Sequence, residues 1–163
     1  MQDLRRLIVM RHAKAGELPG GPDFERALRP RGLRESAAAG RWLAGHDFRP
    51  DAVICSAARR TRQTWQYVAA ELGGAIPVST QRELYQADAG DLMEIVRQTA
   101  ADVRSLLYIG HNPAAAGLIA ILTAAEPEFP PAAIAVLDLA GDWASLSAGG
   151  GTLAASWAPH AAD

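Results

Sequence analysis

Apolar residues along this chain come in short runs that stop at polar or turn residues. Leu7-Ile8-Val9-Met10 stops at Arg11-His12, and Leu106-Leu107-Tyr108-Ile109 stops at Gly110-His111. Runs of this length with turn signals behind them predict buried strands, here over about Leu7 to Arg11 and Ser105 to Ile109. A third run ends at Cys55 and gives a strand over Asp51 to Cys55. Between the strands the apolar spacing changes to that of helices. Leu33, Ala37, Trp42 and Leu43 mark a helix from Pro30 to Leu43, with Gly45 as its stop. Further helices are predicted over Arg59 to Leu72, closed by Gly73-Gly74, over Gly90 to Ala100 and over Ala114 to Leu122. Ile76-Pro77-Val78 reads as a short strand, and its proline puts it at an edge. Beyond residue 122, Ala133 to Leu139 and Thr152 to Trp157 read as paired strands with Trp143 in their connection. Strand–helix alternation followed by a hairpin predicts an α/β fold, a mostly parallel sheet with an antiparallel edge.

Composition narrows the classes. The 163 residues suit one domain with one substantial core, and 49% hydrophobic with 21% charged residues is an ordinary globular balance. A formal charge of −2 speaks against a general nucleic-acid binder. Cys55 is the single cysteine, which rules out an intrachain disulfide and reads as a small buried hydrophobe. The longest apolar stretch, Ala114 to Ala125, is well short of the roughly 18 residues of a membrane span. No secretory pattern follows Met1, so the expected compartment is the cytoplasm and no membrane partner is expected. No internal repeat is visible. The four tryptophans read as core or edge packing, and His46 and His160, without motifs around them, as surface residues.

The chemistry gathers where the strands end. In open α/β sheets ligands bind outside the carboxyl ends of the strands, where Arg11, His12 and His111 fall. After the second strand comes Ser56-Ala57-Ala58-Arg59-Arg60-Thr61-Arg62-Gln63-Thr64, a hydroxyl and several cations at a helix start that favours anions. Phosphoryl transfer to an imidazole needs an unprotonated ring nitrogen and cationic donors around the phosphoryl oxygens. Neutral His12 suits the attack, and a protonated His111 suits the binding of a phosphoryl oxygen. The two rings should then lie within about 8 Å, sharing one phosphate's hydrogen-bonding sphere. Arg59 and Arg62 read as solvated helix-start residues. Lys14, Arg26 and Ser56 are candidates for the rim.

These blocks together resemble the histidine phosphatase superfamily, the phosphoglycerate mutase-like proteins. Arg11-His12-Ala13 is similar to the family's Arg-His-Gly, with alanine for glycine. Ser56 to Thr64 is similar to its Ser-x-x-x-Arg-x-x-Gln-Thr block, and Gly110-His111-Asn112-Pro113 to its second-histidine motif. Arg26 to Gly32 resembles the segment leading into the first helix. The short length and the Trp143 to Pro159 tail resemble the SixA-type phosphohistidine phosphatases.

The resemblance implies a three-layer α/β/α sandwich occupying 1–163 as a single domain. It implies His12 as the nucleophile, with Arg11, Arg60 and His111 holding the phosphoryl group. Glu83 lies where larger members carry a proton donor, against the alternative of a structural capping role. No cofactor or metal is implied, because the chain lacks a Walker A loop and a magnesium-binding carboxylate cluster. The expected activity is that of a metal-independent phosphatase passing through phosphohistidine. Its expected substrate is phosphohistidine on a signalling or phosphotransfer protein. The alternatives are a phosphomonoesterase for a small phosphorylated metabolite and a non-catalytic phosphate-binding protein. A monomer is expected.

Overall fold

Leu7, Ile8, Val9 and Met10 are all completely buried, and the reason is the position of their strand. β1 (Leu4–Arg11) runs through the interior of a six-stranded sheet whose two faces are both covered, so alternation gives way to a continuous apolar run. A computed structural model describes residues 4–160. In chain order β1 is followed by α1 (Pro30–Gly45), β2 (Ala52–Ser56), α2 (Arg59–Leu72), β3 (Val78–Gln81) and α3 (Ala89–Arg97). Then come β4 (Ser105–Gly110), α4 (Ala114–Thr123), β5 (Ile134–Ala140) and β6 (Gly151–Trp157). Across the sheet the order is β3-β2-β4-β1-β5-β6. β1, β2, β3 and β4 are parallel, while β5 and β6 complete it antiparallel.

The two-residue period of β1 divides the core. Leu7 and Val9 join Leu106, Tyr108 and Leu137 beneath α3 and α4, meeting Leu92, Val96 and Leu118. Ile8 and Met10 join Leu107, Ile109 and Val136 on the opposite face, meeting Leu43 of α1 and Val68 of α2. The result is the three-layer α/β/α sandwich. α1 and α2 approach each other at Gly40, where a Cβ would come 2.9 Å from the Val68 carbonyl oxygen. Cys55 is 1% exposed in the α1/α2 layer. Trp143 is buried in the connection between β5 and β6 and donates its indole N–H to the Val103 carbonyl at 2.7 Å.

Several boundaries differ from the sequence pattern. β1 begins three residues earlier, because Leu4, Arg5 and Arg6 pair with Ala140, Leu139 and Asp138 of β5, and Arg6 bonds Asp138 at 3.3 Å. Backbone pairing and an ion pair carry the strand where apolar patterning stops. β3 starts at Val78 rather than Ile76, so its proline lies outside the strand, though Pro77 still accepts from the Val53 N–H. It is an edge strand, as the proline predicts. α3 ends at Arg97, before Ala100, and starts on a capping box in which the Asp88 and Asp91 side chains satisfy each other's backbone N–H. Among the described residues no helix is long and apolar enough to cross a membrane.

Candidate active site

β1 and β4 are adjacent and parallel, with Arg11 paired to Gly110, so the residues that follow each strand emerge side by side. The His12 N–H donates to the Gly110 carbonyl at 2.9 Å, and the two imidazole centroids lie 5.3 Å apart. From this point β1 leads to α1 on one face and β4 to α4 on the other, which opens a crevice between them. β2 delivers the third component: it ends at Ser56, and Arg60 stands in the first turn of α2. Arg11, His12, Lys14, Arg26, Arg60 and His111 line one cavity of about 250 Å³.

Hydrogen bonds fix which atom of each ring faces the cavity. His12 Nδ1 donates to the Ala13 carbonyl at 2.8 Å, which leaves Nε2 with its lone pair. His111 Nε2 bonds Ser56 Oγ at 2.8 Å, leaving Nδ1 free to accept. Arg60 addresses both free nitrogens along one edge of its guanidinium, Nε to His12 Nε2 and Nη2 to His111 Nδ1, each at 3.4 Å. Arg11 donates through Nη1 to the Phe129 carbonyl at 3.2 Å, and its buried Nε has no partner among the described residues. Asn112 braces the same carbonyl through Nδ2 at 2.9 Å. Behind His12, the Ala13 N–H donates to the buried Thr64 Oγ1 at 3.0 Å, which ties the loop to α2. The Ala13 methyl, in place of the family's glycine hydrogen, lies wholly within the apolar layer under α1 and α2.

Gly110 and Gly32 are required by close approach. A side chain at Gly110 would collide with the Tyr108 ring, and one at Gly32 with the Lys14 carbonyl. The first condition lets β4 end directly beneath His111. The second seats the start of α1 against the loop after His12.

Burial dominates the electrostatics. With the charges of the neighbouring Arg60 and Arg11 acting in the same direction, the His12 pKa falls to about 3 and the His111 pKa to about 4. Both rings are therefore neutral at pH 7 in the free protein. A protonated His111 is therefore not the resting form.

Two further expectations change. Ser56 is completely buried behind His111 rather than at the rim, where it orients the ring through its hydroxyl. Glu83 is exposed on the 3-10 turn Arg82–Tyr85 and borders grooves that do not include the two histidines. A 3-10 turn points residues two apart in different directions, and Tyr85 is the one brought to His111, with ring centroids 5.6 Å apart.

The structure also introduces Asp23, which sequence reasoning passed over. Its Oδ2 accepts from Tyr85 Oη at 2.6 Å and from Arg60 Nη2 at 3.1 Å, and its Oδ1 from Arg26 Nε at 2.8 Å. These donors hold its carboxyl well below the usual carboxylate range, Tyr85 contributing most. The available sequence signal was an acid three residues before Arg26 in a loop flanked by motif blocks.

Sheet order and the crevice thus bring the paired imidazoles and the arginines to one cavity. The family model of the histidine phosphatase superfamily (branch 1) matches residues 7–114, and the chain belongs to that family. An uncharacterized protein of Mycobacterium tuberculosis is 36% identical over 86% of this chain and 93% of its own. One of Mycobacterium leprae is 32% identical over 93% and 100%. Among solved structures, one from Nakamurella multipartitia assigned to phosphohistidine phosphatase SixA superposes with a TM-score of 0.84 at 34% identity, covering 96% of each chain. The protein histidine phosphatase SixA complexed with tungstate superposes with a TM-score of 0.80 at 28% identity, covering 93% of this chain and 95% of that one. These likenesses support phosphatase activity.

Proposed function

We propose that this chain dephosphorylates phosphohistidine on a protein through a phosphohistidine of its own at His12. His12 Nε2 attacks phosphorus, and the P–N bond to the enzyme forms as the bond to the leaving group breaks. Arg11 and Arg60 neutralise the phosphoryl oxygens, and His111, once the bound anion offsets the arginine charge, takes a proton from solvent at Nδ1 and donates it to one of those oxygens. Water then attacks phosphorus, the P–N bond returns its electron pair to Nε2, and phosphate leaves. No metal ion or cofactor has a part in either step.

The state of Asp23 carries the choice of substrate. Among the described residues, it is the carboxylate bonded to the cations of the cavity, and the three donors keep it ionised. It accepts hydrogen bonds there and has no proton to give. An alkoxide leaving group depends on proton donation, whereas imidazole, with a pKa of roughly 6.5, departs with far less help. Space for the rest of a protein substrate adjoins the cavity. A groove of about 460 Å³ shares His111 and Asn112 with it and runs past Tyr85, Ala87 and Pro113. The likeness to SixA structures supports the same reading.

The test sets a phosphohistidine protein beside an alkyl phosphomonoester as substrates for the wild type. The phosphoprotein should have the higher kcat/KM, and rapid denaturation should trap acid-labile, base-stable phosphate on His12. Equal or higher turnover of the monoester indicates a metabolite phosphatase, and label on a hydroxyl side chain removes His12 as nucleophile.

A further inference from the structure

Arg60 is 6% exposed, and its guanidinium is used on two edges. The Nε–Nη2 edge faces His12 and His111. The adjacent Nη1–Nη2 edge is taken by a single residue, Asp23, whose backbone carbonyl accepts from Nη1 at 2.9 Å and whose Oδ2 accepts from Nη2 at 3.1 Å. A flexible arginine has many rotamers, and a planar fork gripped along one edge has its other edge aimed. The same Oδ2 holds Tyr85, whose ring stands edge-on to His111 and 5.9 Å from the Arg60 guanidinium carbon. Phe24, the next residue after Asp23, meets the Tyr85 ring edge-on at 5.0 Å and lies under Arg82 at 4.7 Å. One acidic residue on the loop after β1 thus joins the loop, the turn before α3 and the first turn of α2.

We infer that Asp23 is a positioning residue of the anion site, aiming the Nε–Nη2 edge of Arg60 at the space between the two imidazoles and holding Tyr85 beside His111. The inference rests on the reading of the cavity as an oxyanion site, and it is independent of which leaving group the substrate carries. Asp23 acts through Arg60 and Tyr85 and takes no part in bond making or breaking. Its bonds to Arg60 use the Nη1–Nη2 edge, which leaves the Nε–Nη2 edge directed at the imidazoles.

Tungstate affinity, measured by titration calorimetry, reads this role directly. Asp23→Ala should weaken tungstate binding by about 10-fold to 100-fold, the scale of losing a charge-assisted hydrogen bond that fixes a binding group. Asp23→Asn keeps an oxygen acceptor in nearly the same shape and should recover most of that loss. In an Arg60→Lys background, where the planar fork is gone, Asp23→Ala should weaken binding by less than about twofold, because the two changes act as one. Additive losses in the double variant would overturn the inference. Tighter tungstate binding by Asp23→Ala would overturn it too, showing the carboxylate to be a competitor. Unchanged affinity with a lowered Tm would reduce Asp23 to an anchor of the loop. If Asp23→Ala fails to fold, Asp23→Asn and Asp23→Ser decide: Asp23→Asn, which is nearly isosteric and keeps an oxygen acceptor, should bind tungstate close to wild type, and Asp23→Ser, which has no acceptor at that reach, should bind it more weakly. Equal affinity of all three refutes it. Wild-type protein that binds no tungstate would overturn the anion site itself, a failure distinct from loss of the Asp23 role.

Discussion

At the scale of single residues, the site depends on keeping two imidazoles neutral inside a cationic cavity. With pKa values of about 3 and about 4 in the folded chain against roughly 6.5 when unfolded, His12 and His111 take up protons on unfolding throughout that interval. Their contribution to stability is complete above pH 6.5 and is lost as pH falls from there through 4 towards 3. The denaturation midpoint should therefore fall between pH 7 and pH 4.5, and a variant carrying His12→Gln with His111→Gln should fall less steeply. In NMR titration, the His12 ring carbons of the free protein should keep their neutral shifts down to pH 5. Arg60→Ala should lower kcat/KM by about 3 kcal/mol in transition-state terms, the loss of a preorganised charged donor, with the circular dichroism spectrum retained.

At the scale of elements, the loop after β1 is held by α2 as much as by its own strand. Thr64 receives the Ala13 N–H, and Gln63 Oε1 receives the Leu28 N–H at 2.7 Å. Thr64→Val, similar in shape, leaves the buried Ala13 N–H without an acceptor. It should cost about 1–3 kcal/mol in chemical denaturation and reduce turnover, since His12 immediately precedes Ala13. Much of this architecture was legible in the chain. Strand ends flagged by Arg11-His12 and Gly110-His111 told where the site would form, because a buried strand is an apolar run and its end is a change of polarity. The register at Arg5 and Arg6 was not legible, since pairing with β5 depends on residues more than 130 positions away. Glu83 misled for a related reason: a turn fixes which of its side chains faces inward by three-dimensional context, and Tyr85 took that place. Asp23 was hidden because its partners, Arg60 and Tyr85, come from two other segments of the chain.

At the scale of the whole molecule, strand order puts every charge of the site on one end of the sheet. β2, β4 and β1 are neighbours although β3 and three helices separate them in sequence, so Arg60, His111 and Arg11 converge only when the sheet has closed. Since arginine and histidine are assigned the work of charge neutralisation, turnover should be retained in excess EDTA and inhibited by tungstate or vanadate. Loss of activity on chelation with recovery on adding zinc or magnesium would reassign that work to a cation.

Cys55 lies at the end of β2, one residue from the Ser56 that orients His111, yet its thiol is 1% exposed and burial pushes its pKa up to about 12. The single thiol of the chain is thus neither ionised nor reachable, and reagents that silence thiol-based phosphatases meet no thiolate here. Iodoacetamide or millimolar peroxide should leave turnover of the native chain at its untreated level, with Cys55 alkylated only after denaturation. Such an enzyme would go on removing phosphate under oxidative stress, when phosphatases built on a reactive cysteine stop.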